Sequence, residues 1–136
     1  DVRLEGDIGV IGNGAGLVMA TIDAIGLNGG RAADFLDIGG GAKADVVRKS
    51  LELLSEDKNI KSTLLNIFGG ITRCDEVAKG ILEAVGAGSL PFTMVVRLAG
   101  TGEDEGRRLL EESGMKIAAT MDEAAQEAVL AAKGAC

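Results

Sequence analysis

The segment Asp7-Ile-Gly-Val-Ile-Gly-Asn-Gly-Ala-Gly-Leu17 begins as a short apolar run and ends in a turn with almost no side-chain bulk. The run predicts a buried strand, and the apolar residues from Leu17 to Ile25 predict a buried helix directly after the turn. Asn13 is expected to be the N-cap of that helix, because its side-chain oxygen can accept from a free backbone N–H of the first turn. Backbone N–H groups at such an open helix N-terminus form a typical anion site.

The spacing of these glycines leaves a second interpretation open. Gly12, Gly14 and Gly16 follow a G-x-G-x-G pattern, whereas dinucleotide-binding folds use G-x-G-x-x-G. Glycine turns between a strand and a helix also serve only to let the two elements pack closely. The segment alone therefore indicates either an anion site or a packing turn.

The composition excludes several classes of function. The 136 residues suit one domain, predicted over the whole chain from 1 to 136, and they carry a net charge of −7 without a basic stretch. Nucleic acid and anionic membrane surfaces are therefore not expected as partners. Aromatic residues make up 2% of the chain, which argues against stacking surfaces for bases or sugars.

The cysteine and histidine content bears on metals and on the compartment. With two cysteines, Cys74 and Cys136, and no histidine, the chain is expected to hold no metal site of the usual zinc type. Unlinked cysteines are typical of a reducing compartment, and no apolar run approaches the ~20 residues of a membrane span. The sequence predicts a protein of the cytoplasm or of an organelle matrix.

Apolar runs alternate with amphipathic segments along the chain. The predicted strands are 7–11, 34–38, 62–68, 92–98 and 116–119, and the predicted helices are 14–27, 43–55, 75–85, 103–113 and 121–132. This alternation predicts an α/β, flavodoxin-like, three-layer doubly wound fold, with five parallel strands in the order 2-1-3-4-5. Residues 1–6 are expected to be a linker or a strand remnant.

The predicted strand order brings three glycine loops to one edge of the sheet. In such folds ligands bind at the carboxyl ends of the strands, at the point where the strand order reverses. The loops after strands one and three are 12–16 and 69–74, and the loop 39–41 follows strand two on the same edge. Their small residues predict a backbone-lined anion site, or a surface that another polypeptide approaches closely.

Three segments, in this order along the chain, resemble one known family. They are Ile11-Gly-Asn-Gly-Ala-Gly-Leu-Val-Met-Ala-Thr21, Phe35-Leu-Asp-Ile-Gly-Gly-Gly-Ala42 and Asn66-Ile-Phe-Gly-Gly-Ile-Thr-Arg-Cys-Asp75, and Val96-Arg-Leu-Ala-Gly-Thr101 fits the same family. The resemblance is to the C-terminal, flavodoxin-like CoA-ligase domain of the β subunit of succinyl-CoA synthetase (succinate–CoA ligase). It covers essentially the whole chain.

The resemblance implies part of a heterodimeric acid–CoA ligase of the tricarboxylic acid cycle. In that family an N-terminal ATP-grasp region of the β subunit binds Mg²⁺ and ATP or GTP, and residues 1–6 would be its remnant here. The α subunit, the implied partner, carries the phosphohistidine and the CoA site, and succinate is the implied substrate. The resemblance implies no cofactor in this chain and no activity of this chain alone, and it leaves open a contact between two β subunits.

The resemblance also implies roles for residues of the first glycine loop. Asn13 takes the place of the family's substrate contact beside the phosphohistidine. Gly14, Ala15 and Gly16 take the place of a helix N-terminus that faces the phosphate. Under this resemblance, the loop both contacts the substrate and stabilises the phosphate.

The third glycine loop matches the family's substrate-binding tripeptide at Gly70, Ile71 and Thr72. Family members often have valine where this chain has Thr72, so the implied substrate contact is expected through backbone N–H groups. Arg73 is a further candidate, either as a substrate contact or as an ion pair at the subunit boundary.

Three other residues near the loops have less direct connections to the substrate. Cys74 has no histidine partner for nucleophilic chemistry and is expected to be a small buried residue at a helix start. Arg97 could face the same edge and ranks below Arg73 as a substrate contact. Asp37 is expected to anchor the glycine turn rather than to bind a metal.

Two alternatives remain open at this point. A malate–CoA ligase β chain shares these motifs, and an activity test on both acids would separate it from the first interpretation. A stand-alone flavodoxin-like binding module is the alternative of a different class. A receiver domain is disfavoured because Gly12-Asn13 and Gly69-Gly70 replace its acidic residues, and a flavin protein is disfavoured because the chain has only 3 phenylalanines and no other aromatic residue.

Overall fold

The computed structural model describes residues 2–88 and 90–134. Cys136, one of the two cysteines considered above, lies outside these residues. The strands are β1 (Val2–Arg3), β2 (Ile8–Gly12), β3 (Ala32–Asp37), β4 (Ser62–Gly69), β5 (Thr93–Gly100) and β6 (Ile117–Ala118). The helices are α1 (Ala15–Leu27), α2 (Ala44–Leu54), α3 (Cys74–Gly86), α4 (Glu103–Glu112) and α5 (Met121–Ala132).

The strands form one sheet in the order β1-β3-β2-β4-β5-β6. All neighbours from β3 to β6 are parallel, so the predicted order 2-1-3-4-5 of the five parallel strands is confirmed. The short β1, in the segment predicted to be a linker or a strand remnant, pairs antiparallel with the edge of β3. The predicted bounds of the parallel strands and of the helices agree with the structure to within two residues.

Helices cover both faces of the sheet, which makes three layers. On one face α2, α3 and α4 bury apolar side chains against Ile11, Leu65 and Val96. On the other face α1 and α5 pack against Val10, Leu64 and Val95. Successive strand residues point to opposite faces and both faces are covered, so these strands are continuous apolar runs.

The prediction that α1 is a buried helix is wrong. Only one side of it faces the sheet, where Val18 and Ile25 are buried. On its outer side Met19 is 45% exposed and Leu27 is 88% exposed. The helix lies in an outer layer of the fold, so an apolar sequence all round it does not produce burial all round it.

Helices α2 and α3 approach each other closely at Gly80. A Cβ at this position would lie 2.5 Å from the carbonyl oxygen of Ala44 and 2.7 Å from Cβ of Val47. Glycine in a helix interior is intrinsically destabilising, so its presence here is explained by the close packing of the two helices.

Within residues 2–88 and 90–134, no helix is both long enough and apolar enough to cross a bilayer.

Candidate functional site

The three glycine loops meet at the carboxyl edge of the sheet, as the sequence predicts. In the sheet β2 lies between β3 and β4, so the loops that follow these three strands are neighbours. Hydrogen bonds described below join the first loop to the ends of β4 and β3, at Phe68 and Asp37, and join the second loop to the third, at Gly41 and Thr72. The loops therefore form one connected surface, which we call the glycine edge.

Asn13 is not an N-cap, in contrast to the prediction. The N-cap of α1 is Gly14, with φ of 121°, and no side chain accepts from the first turn. Asn13 instead reaches across to the end of β4, where its Nδ2 donates to the carbonyl oxygen of Phe68 at 2.9 Å. The N–H of Phe68 donates to Oδ1 of Asn13 at 3.0 Å.

The side-chain amide of Asn13 thus continues the pairing of β2 with β4 beyond its last backbone register pair, Gly12 with Asn66. A carboxamide has two N–H donors and an oxygen with two lone pairs. One donor and one lone pair are used by Phe68. Within residues 2–88 and 90–134 the half-buried Asn13 makes no further side-chain hydrogen bond, so one donor and one lone pair remain unused.

The N-terminus of α1 already has a carboxylate beside it. Oδ1 of Asp37 accepts from the N–H of Gly14 at 2.7 Å and from the N–H of Gly39 at 2.9 Å. The expectation that Asp37 anchors the glycine turn is confirmed. The N–H groups of Ala15 and Gly16 have no intrahelical partner at this position, and a Cβ on Gly16 would have no atom within 4 Å.

The Gly70-Ile71-Thr72 loop is held from two sides. Thr101 Oγ1 donates to the carbonyl oxygen of Gly70 at 3.0 Å. Thr72 is 1% exposed, and its Oγ1 accepts from the N–H of Gly41 at 2.9 Å. The loop therefore presents the side chain of Ile71, which is 81% exposed, together with its own backbone.

Comparison with known proteins identifies the family of this chain. Residues 11–131 match the model of the CoA-ligase family. The chain belongs to this family. All three loops of the glycine edge lie within the matched residues.

Among curated proteins, the CoA-ligase chain is similar to succinate–CoA ligase β subunits. It is 54% identical over 133 residues to the succinate–CoA ligase (ADP-forming) subunit beta 2 of Archaeoglobus fulgidus, which covers 94% of this chain and 34% of that protein. It is 51% identical over 134 residues to the succinate–CoA ligase (ADP-forming) subunit beta of Ignicoccus hospitalis, covering 98% and 36%. The resemblance noted in the sequence is confirmed, and the chain spans about a third of the length of these relatives.

Among solved structures, the CoA-ligase fold recurs at low sequence identity. PH0766 from Pyrococcus horikoshii has a TM-score of 0.78 at 17% identity, covering 95% of this chain and 36% of that chain. A dinucleotide-forming acetyl-coenzyme A synthetase 1 of Ca. Korarchaeum cryptofilum has a TM-score of 0.74 at 18% identity, covering 98% and 34%. These structures support the three-layer architecture.

Arg73 precedes α3 of the CoA-ligase domain and forms a local ion pair. Its Nε and Nη2 lie 3.1 and 3.2 Å from the two carboxylate oxygens of Asp75. The hydrogen bond from Arg73 holds the pKa of Asp75 below its ordinary value. Of the two roles considered for Arg73, the structure shows an ion pair, and its partner lies two residues along the same chain.

Cys74 is fully buried at the first residue of α3. Its Sγ lies 3.7 Å from the carbonyl oxygen of Ala99, and burial raises the pKa of the thiol. A buried thiol with a raised pKa is a poor nucleophile. The expectation of a small buried residue at a helix start is confirmed.

Asn66 and Thr21, two polar residues beneath the glycine edge, were not predicted from the sequence as part of a site, and of this group only Arg97 was named there. Asn66 and Thr21 are fully buried, and Asn66 Nδ2 donates to Thr21 Oγ1 at 3.0 Å. Arg97 Nη1 donates to Oδ1 of Asn66 at 3.3 Å, and its guanidinium lies over the Phe68 ring, 5.2 Å from the centroid. The one signal in the sequence is the asparagine inside the apolar run Leu64-Leu-Asn-Ile67.

The part of the chain that the structure describes holds no group of three or more His, Cys, Asp or Glu residues arranged to bind a metal.

A cavity of about 510 Å³ lies at the amino end of β5, among Phe92, Met94 and Met115. This is the end of the strand opposite to the glycine edge. The candidate functional site is therefore the surface formed by the three loops.

Proposed function

We propose that this chain is the CoA-ligase domain of an ADP-forming succinate–CoA ligase β subunit, and that its glycine edge contacts the acid substrate. The observation that carries the proposal is the meeting of the three glycine loops in a chain more than half identical to such β subunits. The chain is proposed to act as one domain of that subunit, in the cytoplasm or in an organelle matrix.

In the proposed site, uncharged N–H groups donate hydrogen bonds to the substrate carboxylate. The free N–H of Asn13 and the backbone N–H groups of the Gly70-Ile71-Thr72 loop would donate to the substrate carboxylate. The N-terminus of α1, at Ala15 and Gly16, would face the phosphoryl group through its dipole. Asp37 keeps the first N–H of this turn occupied, so the donors farther along α1 are the ones available to an anion.

The remaining chemistry of the enzyme is proposed to lie outside this chain. An α subunit would supply the phosphorylated histidine and the CoA site, since this chain has no histidine. Mg²⁺ and ATP would bind elsewhere in the β subunit, with ATP preferred to GTP because the relatives are named as ADP-forming. The role of this chain is to position the acid and the phosphoryl group.

An activity assay on the complete enzyme tests the proposal. The full-length protein containing this chain is purified with its α subunit and supplied with ATP, CoA and either succinate or malate. We expect ADP and succinyl-CoA, with turnover faster for succinate than for malate. The isolated chain, given labelled ATP and the same substrates, is expected to leave the label in ATP.

Three results would change this assignment. Faster turnover with malate would indicate a malate–CoA ligase. No ADP formation with either acid would favour a stand-alone binding module. Succinyl-CoA made by the isolated chain would contradict the proposed division of labour between this chain and the rest of the enzyme.

A further inference from the structure

Arg97 occupies an unusual position for a charged side chain. It lies inside β5, with Asn66 of β4 as its register partner on one side and Ala118 of β6 on the other. The side chain is half-buried and its Nε is buried without a hydrogen-bond partner among the described residues. Burying a guanidinium in this way is costly, so its presence calls for a compensating role.

A series of hydrogen bonds connects Arg97 to the first turn of helix α1. Nη1 donates to Oδ1 of Asn66, and Nδ2 of Asn66 donates to Thr21 Oγ1. Thr21 in turn donates to the carbonyl oxygen of Leu17, in the first turn of α1. These bonds tie the sheet beneath the glycine edge to the helix that begins just after Asn13.

Arg97 also contacts Phe68, the residue of β4 that is hydrogen-bonded to Asn13. The guanidinium carbon of Arg97 lies 5.2 Å from the centroid of the Phe68 ring, within the range of a cation–π interaction. The backbone of Phe68 makes both hydrogen bonds to the carboxamide of Asn13. Phe68 itself is 60% exposed, so apolar packing restrains its ring only weakly.

We propose that Arg97 is a positioning residue: by holding Phe68 and Asn66 it sets the orientation of the Asn13 carboxamide that contacts the acid. The inference rests on the proposed function of the glycine edge. Arg97 acts through its neighbours, because Asn66 and the Phe68 ring occupy two sides of its guanidinium. A residue that acts through Asn13 loses its effect on the substrate once the Asn13 side chain is removed.

A double-mutant cycle in the complete enzyme tests this dependence. The variants are Arg97→Met, Asn13→Ala and the combination of the two, with KM for the acid, KM for the nucleotide and kcat measured for each. We expect Arg97→Met to lower kcat/KM for the acid about tenfold, within the range of coupling inside one hydrogen-bond network. In the Asn13→Ala background the same change is expected to alter kcat/KM less than about twofold.

The nucleotide KM separates positioning from a general loss of structure. It is expected to stay unchanged while the acid KM rises in Arg97→Met, whereas partial unfolding would reduce the fraction of active enzyme and so lower kcat with both KM values unchanged. Arg97→Lys keeps a cation near the ring but lacks the planar fork, so we expect it to recover part of the lost kcat/KM. If Arg97→Met does not fold, Phe68→Leu replaces it, with an expected decrease of about threefold for loss of an exposed cation–π contact.

The outcomes are distinguishable from a failure of the proposed function. If Asn13→Ala leaves the acid kinetics unchanged, Asn13 is not a substrate contact, and the positioning role is overturned with it. If Asn13→Ala impairs the enzyme and the effects of the two substitutions multiply, Arg97 acts independently and only the positioning role is overturned. Unchanged acid kinetics in both Arg97→Met and Phe68→Leu would also overturn it.

Discussion

Replacing Thr72 with valine separates the structural role of its hydroxyl from substrate binding. The two side chains have nearly the same shape, so the change removes one oxygen without opening a cavity. That oxygen is the acceptor for the N–H of Gly41 at 2.9 Å, and Thr72 is 1% exposed. The net contribution of one such bond is about 1 kcal/mol, and Gly41 itself is exposed, so its freed N–H can reach water.

The expected result is a local loosening of the loop at Gly41 with little effect on the acid. A loss of about 1 kcal/mol makes local opening about fivefold more frequent, so amide exchange at Gly41 should accelerate by about that factor. KM for the acid should change less than about twofold, because the backbone N–H groups of the Gly70-Ile71-Thr72 loop remain. Hydrogen exchange of the loop peptide and steady-state kinetics on the complete enzyme measure the two effects.

Thr72→Ser is the matched control, because it keeps the oxygen and should keep the Gly41 amide protected. Unchanged exchange in Thr72→Val would mean that the bond between the two loops does not form in solution. If Thr72→Val raises the acid KM tenfold while Thr72→Ser does not, the hydroxyl contacts the substrate. Our account of recognition by backbone donors would then be wrong.

Three further predictions concern glycine and cysteine positions. Gly70→Val should raise the acid KM about tenfold or more in the complete enzyme, because the valine side chain would enter the open space on the glycine edge where the acid is proposed to bind. Gly86→Val is the control: it also enters open space, but at the far end of α3, and should leave the acid KM unchanged. Gly80→Ala should destabilise the protein by about 1–3 kcal/mol through overpacking, whereas Gly26→Ala, with open space around it, should stabilise it by up to about 1 kcal/mol in denaturant unfolding. Cys74 should be alkylated at pH 8 at least about tenfold more slowly than free cysteine, because burial raises its pKa and reduces the thiolate fraction, as peptide mapping would show.

Each of these predictions has an opposite result that is informative. If Gly70→Val and Gly86→Val both leave the acid KM unchanged, the loop at Gly70 belongs to a subunit interface and not to the substrate site. A stabilising Gly80→Ala would mean that α2 and α3 are farther apart than described. Rapid alkylation of Cys74 in the native protein would show that α3 opens at its first residue.

The order of strands and helices was predictable because its determinants are local. Apolar runs, helical periodicity and the glycines at strand ends define each element within a window of about ten residues. The rule that parallel crossovers are right-handed then limits the topologies that such an alternating sequence can adopt. The same reasoning predicted that the glycine loops would share one edge, and it also anticipated the anchoring role of Asp37.

The role of Asn13 was not predictable from its neighbours in the chain. Its position before a helix favours an N-cap, yet its partner is Phe68, 55 residues away. Similarly, Thr72 accepts from Gly41, 31 residues away, and nothing around Thr72 in the sequence indicates that partner. These hydrogen bonds exist because β2 lies between β3 and β4, which brings the ends of distant segments together.

The sequence by itself therefore determined the α/β architecture, the family and the set of loops from which a site can be built. Only the tertiary structure decided which side chains join those loops and which remain available to a ligand. The physical reason is that secondary structure follows from periodicity along the chain. The half-buried Arg97 and the buried Asn66 and Thr21 instead bond to one another from separate strands and helices. Their geometry depends on the register between β4 and β5, which local sequence patterns do not encode.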